Sequence, residues 1–396
     1  MFRNQFVKIL VAILVIVMLA GCTPAAATEA PAAPAATEAP AAPAATQPAN
    51  QNVMPTAAPD QPTEAPADTG KQYKVALVIS LLGDKSFNDS AARGIEFVNQ
   101  QYTDVETKII ENQDVGEQQL AARAMAEQGF DLVITVGFGS ADWTNEIAKE
   151  YPDTKFAIVD AVLDAPNGTG LTFREDEGSF TVGMVAAMLT KTKKVGYVGG
   201  MDVPLLRRFE LGYIQGVKYV DPTIEVVSGW VGAFDDPNKG KELALTQYAE
   251  GVDIIYAAAG KSGEGVLQAS KEQGKFSIGV DSDQDYMQPG SVITSMLKRV
   301  DLAVLEAVKE LRAGELAGGT KVFGLKEGMV GSTFLYADDT VFLQEGPDDM
   351  VALIKSDVIP AIKAASEKIK SGEMCVTDFT ELFPCENPAP EGGMGK

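Results

Sequence analysis

From residue 74 onward the apolar positions switch between two patterns, short continuous runs and helical spacing, and the switching is regular. Residues 74–80 form an apolar, β-branched run, and 90–101 follow with Ala92, Ile95, Phe97 and Val98 at helical intervals. The alternation continues as strand 107–110, helix 117–128 ended by Gly129, strand 131–136, helix 141–150, strand 155–159, helix 178–189 and strand 195–198. It then runs through helix 208–220, strand 224–228, helix 239–250, strand 253–257, helix 265–273 and strand 277–280. Strands alternating with helices predict parallel sheets covered on both faces. So many units exceed one comfortable sheet, and an α/β fold of two doubly wound lobes is expected. Ligands of such sheets sit beyond the carboxyl ends of the strands, in the loops that follow them.

The N-terminal 70 residues follow neither pattern. Arg3 and Lys8 precede an apolar stretch at 9–19, closed by Leu19-Ala20-Gly21-Cys22. The stretch is too short to span a bilayer but fits the core of a signal peptide. Its closing tetrapeptide resembles a bacterial lipobox, which implies removal of residues 1–21, a lipid on Cys22 and an extracytoplasmic position on the cell membrane. Residues 23–70 are dominated by Ala, Pro and Thr, and the unit Thr-Glu-Ala-Pro-Ala-Ala-Pro-Ala-Ala occurs at 28–36 and again at 37–45. Such a segment lacks the large apolar residues that offset chain entropy, so a disordered spacer is expected over 22–72.

Charge and composition then narrow the function. The precursor carries a formal charge of -22, and the leader holds two basic residues and no acid, so nucleic acid and anionic membrane surfaces are poor partners. The chain has no histidine, which removes the Ser-His-Asp and Cys-His arrangements and histidine metal ligands. No enzyme, cofactor or metal is expected. Besides Cys22 there are Cys375 and Cys385, and in an exported chain a disulfide closing that small loop is expected.

The strand-end loops carry the candidate chemistry. Gly83-Asp84-Lys85-Ser86-Phe87-Asn88-Asp89-Ser90 follows the first strand, and Gly137-Phe138-Gly139-Ser140-Ala141-Asp142 follows the third. Gly199-Gly200-Met201-Asp202-Val203-Pro204 leads to Arg208-Phe209-Glu210, and later come Gly260-Lys261-Ser262-Gly263-Glu264-Gly265 and Gly279-Val280-Asp281-Ser282-Asp283. Asp and Ser there can simply cap helices. Aromatic rings amid glycines and acids also suit a neutral ring-plus-hydroxyl ligand, stacked on by the rings and hydrogen-bonded by the carboxylates.

Four of these stretches closely resemble the basic membrane protein family, the PnrA-like lipoproteins that serve nucleoside ABC transporters. They are Asp84-Lys85-Ser86-Phe87-Asn88; Gly199 to Pro204 with Arg207 to Glu210; Gly279 to Gln284; and Thr294-Ser295-Met296-Leu297-Lys298-Arg299-Val300-Asp301. The resemblance implies a type I periplasmic-binding-protein fold whose lobes are joined by three crossovers. One lobe would hold 73–174 with 283–297, the other 175–282 with 298–372, and 373–396 would form a C-terminal tail. It also implies a purine nucleoside in the cleft. Phe87 or Phe138 would clasp the base against Phe209, while Asn88 and Asp142 would bond its edge. Asp281 with Lys298 would hold the ribose hydroxyls, and Gly260 and Gly263 would admit backbone contacts. The implied partners are an ABC permease and ATPase acting with a monomeric carrier; a sugar ligand or a ligand-sensing role is the alternative on the same fold. The sequence departs from the family pattern at Ser80-Leu81-Leu82-Gly83, at Lys261 and at Glu264.

Overall fold

The computed structural model of the protein describes residues 70–380 and 382–395. The leader, Cys22 and the spacer up to residue 69 lie outside the described residues. The chain enters the fold at β1 (Tyr73–Ile79) and proceeds through α1 (Phe87–Gln101), β2 (Val105–Glu111), α2 (Val115–Glu127), β3 (Leu132–Val136), α3 (Ala141–Glu150), β4 (Lys155–Val159) and β5 (Gly168–Phe173). It then crosses into α4 (Glu175–Leu189), β6 (Lys194–Gly199), α5 (Pro204–Val220), β7 (Glu225–Trp230), α6 (Pro237–Ala249), β8 (Ile254–Ala258), α7 (Gly263–Glu272), β9 (Phe276–Asp281) and β10 (Val292–Lys298). Next come α8 (Val300–Ala313), β11 (Gly319–Phe323), β12 (Val330–Ser332), α9 (Val341–Glu345), α10 (Asp348–Leu353) and α11 (Ile359–Lys370).

The strands form two six-stranded sheets, ordered β11-β5-β4-β3-β1-β2 and β12-β10-β9-β8-β6-β7. Among the described residues, the strands of both sheets pair in parallel except β10 with β12. Every residue of β3, β5, β8 and β10 is buried, as expected for parallel strands covered by helices on both faces. The edge strands β2 and β7 carry the mixed exposure of a sheet margin. Helices α4 and α5 meet at backbone distance: a Cβ on Gly216 would lie 2.0 Å from the Phe180 carbonyl oxygen, and one on Gly183 2.2 Å from that of Tyr213. Larger residues at these two positions would force the helices apart.

The lobe boundaries implied by the resemblance need correction. The segment 283–297 was expected in the first lobe, yet β10 pairs with β9 and β12 in the second sheet. This fully buried strand has backbone groups on both edges to satisfy, and it finds neighbours on both sides there. The start of 298–372 was expected in the second lobe, but α8 packs on α1 and β11 extends the first sheet beside β5. Three crossovers do connect the lobes, at Arg174, at Arg299 and between β11 and β12.

Buried carboxylates bind each crossover. Arg174 pairs with Asp176 at 2.7 Å and with Glu177 at 2.8 Å. Glu177 in turn accepts from the Leu325 N–H at 2.9 Å, tying the third crossover to the first. At the second, Asp301 takes Arg299 at 2.9 Å and Arg93 at 3.0 Å. Burial works against ionising Asp301, but Arg299 and Arg93 prevail and hold its carboxyl below the usual range. The tail beyond α11 is closed by the expected disulfide between Cys375 and Cys385.

Candidate functional site

The carboxyl ends of both sheets face one cleft of about 600 Å³, within the range of small-molecule sites. Its first-lobe wall includes Asp84, Phe87, Asn88, Phe138 and Asp160; its second-lobe wall includes Phe209, Phe234, Gly260, Asp281 and Lys298. Each residue lies at the end of a strand, in the loop after it, or in the first two turns of the following helix.

The Asp84 loop shows how local folding prepares this wall. Asp84 is buried, and its carboxylate accepts from the backbone N–H groups of Ser86, Asn88 and Asp89 at 2.9–3.1 Å. Those are the free donors at the start of α1, so Asp84 caps the helix and fixes Phe87 at its first turn. The Asn88 amide donates to Asp84 at 2.9 Å and its carbonyl oxygen accepts from the Ser80 hydroxyl at 3.3 Å. Both Phe87 and Asn88 are thereby oriented before any ligand arrives.

Lys298 lies at the cleft floor with 1 % of its surface exposed. Its ammonium is 2.6 Å from Asp160 and 3.1 Å from Glu175. It also lies 5.1 Å from the Phe87 ring centroid and 5.3 Å from that of Phe209, within cation–π range of both. Burial opposes its charge, but Asp160, Glu175 and Asp281 together keep the ammonium above its ordinary pKa. Asp281 was expected to be the partner of Lys298; its hydrogen bond instead comes from the Ser86 hydroxyl across the cleft. Burial pushes the Asp281 carboxyl up to about 7, with Lys298 and Ser86 opposing. Asp160 (φ 69°) and Asp281 (φ 63°) both occupy the left-handed region, an uncommon conformation that aims each carboxylate from its strand end.

Seven of the nine expected ligand residues line this cleft: Phe87, Asn88, Phe138, Phe209, Gly260, Asp281 and Lys298. Asp142 and Gly263 do not. The periodicity of α3 turns Trp143, Thr144, Ile147 and Ala148 inward and leaves Asp142 exposed on the outer face. Gly263 opens α7 and is buried against Ala257. The expectation missed Asp160 and Glu175. Asp160 directly follows strand 155–159 and the strand-end rule could have found it, whereas Glu175 begins a helix beyond a crossover and carries no such signal.

The lobes touch across the cleft at several points. Besides Ser86–Asp281 and Lys298–Asp160, the Gln284 amide donates to the Lys85 carbonyl at 3.0 Å and Arg93 donates to the Ser282 hydroxyl at 3.2 Å. At the rim, the Lys85 ammonium is 3.3 Å from Glu264.

Two doubly wound lobes, three crossovers and an interlobe cleft lined from both sides define a type I periplasmic-binding-protein architecture. Residues 72–374 match the family model described as ABC transporter substrate-binding protein, PnrA-like, and the chain belongs to that family. It is 33% identical over 307 residues to basic membrane protein A of Borreliella burgdorferi, covering 74% of this chain and 90% of that one. It is 32% identical over 328 residues to the ABC transporter nucleoside-binding protein BmpA of Lactococcus lactis, covering 75% and 90%. Among solved structures, an ABC transporter solute-binding protein from Aeropyrum pernix superposes with a TM-score of 0.68 at 30% identity, covering 79% of this chain and 94% of that one. One from Conexibacter woesei gives 0.61 at 26%, covering 78% and 99%. The chain is thus a substrate-binding protein of an ABC transporter. Among the described residues no helix is long and apolar enough to cross a membrane.

Proposed function

We propose that this protein captures purine nucleosides outside the cytoplasm, held to the membrane by a lipid on Cys22, and delivers them to an ABC permease driven by an ATPase. The observation that carries the reading is the floor of the cleft. Phe87 and Phe209 stand around the Lys298 ammonium while Asp281, on the same cleft, has one hydrogen-bond donor in Ser86. A carboxylate has lone pairs for more donors than that, and the two hydroxyls of a ribose would supply them. Phe87 or Phe138 and Phe209 would clasp the base, Asn88 would bond its edge, and Gly260 would admit the ligand close to the backbone. Lys298 would steady Asp160 and Asp281 rather than reach the sugar itself. The nucleoside named for the Lactococcus relative supports the same class.

Because both lobes contribute walls, a bound ligand would favour the closed arrangement through its differential affinity for it. The crossovers at Arg174 and Arg299 would be the hinge. The cleft would bind without performing chemistry. A thermal-shift series of the whole chain against nucleosides, free bases and pentoses tests the reading, since ligand held by the folded state raises the melting temperature by mass action. Inosine, guanosine or adenosine should shift it, and a response confined to pentoses would overturn the nucleoside assignment. Release of hypoxanthine from inosine would overturn the non-enzymatic reading, and a Cys22→Ala protein still found in membranes would overturn the anchor.

A further inference from the structure

The disulfide-closed tail lies beyond the family match, which ends at residue 374, yet it packs on Arg174 of the first crossover and on Arg208, the neighbour of Phe209 in the cleft. Its inner face is buried: Val376, Asp378 and Phe383 are at most 7% exposed. Asp378 accepts from the Phe383 N–H at 3.3 Å, which fixes the ring within the loop. That ring receives two guanidinium groups, Arg174 at 4.8 Å and Arg208 at 5.4 Å from its centroid. Arg174 is the first crossover and also donates to the Val376 carbonyl at 3.2 Å. Arg208 precedes Phe209 of the cleft and lies 3.5 Å from the Glu175 carboxylate. Glu175 is fully buried and its nearest cation besides Arg208 is Lys298, at 3.1 Å.

Those contacts form one continuous path, Phe383 to Arg208 to Glu175 to Lys298. We infer that Phe383 is a positioning residue for the ligand cleft, held in place by the Cys375–Cys385 bridge. The ring confines Arg208 where it shares Glu175 with Lys298; released, Arg208 would leave Glu175 to draw Lys298 away from Asp160 and from the two cleft rings. Arg208 Nη1 has no hydrogen-bond partner although it is buried, so the aromatic face is part of what compensates this charge. The tail also braces Arg174, so closure and tail packing share one support. Reduction of the bridge would then loosen ligand capture without any substitution in the cleft.

The inference rests on the nucleoside reading only for its ligand. Inosine affinity and amide hydrogen exchange are measured on the whole chain for the native protein, Phe383→Leu, Phe383→Tyr and the Cys375→Ser/Cys385→Ser pair. Phe383→Leu keeps an apolar filler but removes the π face, so inosine should bind about fivefold more weakly, and Phe383→Tyr should restore it to within about twofold. The serine pair should lose at least as much as Phe383→Leu. In both weakened proteins, exchange should rise at 296–300 around Lys298, a segment the tail reaches on this path only through Arg208 and Glu175. Native-like affinity and exchange in Phe383→Leu would overturn the inference, leaving the ring as packing. If the native protein ignores inosine, the nucleoside reading fails while the exchange data still decide the role of the tail.

Discussion

Asp281 ends strand β9 and Asp301 lies in the first turn of α8; both are buried aspartates, and they have opposite electrostatics. Asp301 at the second crossover is surrounded by Arg93 and Arg299, and its carboxyl is held below the usual range despite burial. Asp281 in the cleft has one hydroxyl donor and a lysine already engaged by two other carboxylates, and burial lifts it to about 7. Desolvation is common to both; the number of committed donors differs. A carboxylate whose partners are supplied by the fold is structural. One left short of donors stores a cost that an incoming ligand can relieve.

Deleting each carboxylate should have opposite consequences. Asp301→Ala leaves the buried Arg93 and the half-buried Arg299 without their shared acceptor, and removing one member of such a group costs about 3–5 kcal/mol of stability. Urea denaturation should read that loss whether or not ligand is present. Asp281→Asn should behave otherwise. Asparagine tolerates the left-handed backbone at this position, which alanine does not. The variant should melt no lower than the native protein at pH 8, where the native carboxyl is ionised, yet bind inosine about 30-fold to 100-fold more weakly, as expected for lost hydrogen bonds to a charged group. A variant that both melts much lower and binds normally would reverse the roles assigned to the two aspartates.

The pH dependence gives the same contrast without mutation. The folded pKa of Asp281 lies above its unfolded value of 3.8, so the native state holds the extra proton between about pH 4 and pH 7. Its contribution to stability is therefore greatest in acid and declines as pH rises through about 7. Asp301 has the opposite sign: its depressed pKa gives stability that is present above the unfolded value and lost as pH falls. In the proposed binding mode the Asp281 carboxylate accepts from the ribose hydroxyls, so inosine affinity should fall as pH is lowered below about 7. Calorimetric titration at several pH values checks it, and a flat profile from pH 5 to pH 8 would separate Asp281 from the ligand.

The comparison also shows what a sequence can disclose. The continuous apolar runs of β1, β3 and β8 announced buried parallel strands, and Phe87 at a strand-to-helix turn and the glycine-flanked Phe138 marked the loops that line the cleft. Strand β10 was harder, because Thr294 and Ser295 make a fully buried strand look polar; their hydroxyls are absorbed by Ser332 and Gln284. Lobe membership of 283–323 depended on which neighbours complete each sheet, and no local pattern encodes that. Pairing was equally hidden. Both Asp160 and Asp281 were available to Lys298 from the sequence, and the geometry of two strand ends gives it Asp160.

The smallest effect concerns Lys85 and Glu264, the pair at the cleft rim. Its ammonium and carboxylate are 3.3 Å apart, and their side chains are 41% and 22% exposed. Solvent screens such a pair, so its worth is roughly 0.2–1 kcal/mol. It nevertheless joins the Asp84 loop of one lobe to α7 of the other, and only a closed molecule can make it. Its contribution should therefore appear in how long ligand stays bound rather than in melting. Raising salt from about 0.05 M to about 0.5 M shortens the screening length severalfold, and inosine dissociation should quicken up to about fivefold in the native protein but little in Glu264→Gln. Equal salt sensitivity in both proteins would place the closing force elsewhere, with the fully buried contacts from Lys298 to Asp160 and from Ser86 to Asp281 as the remaining candidates.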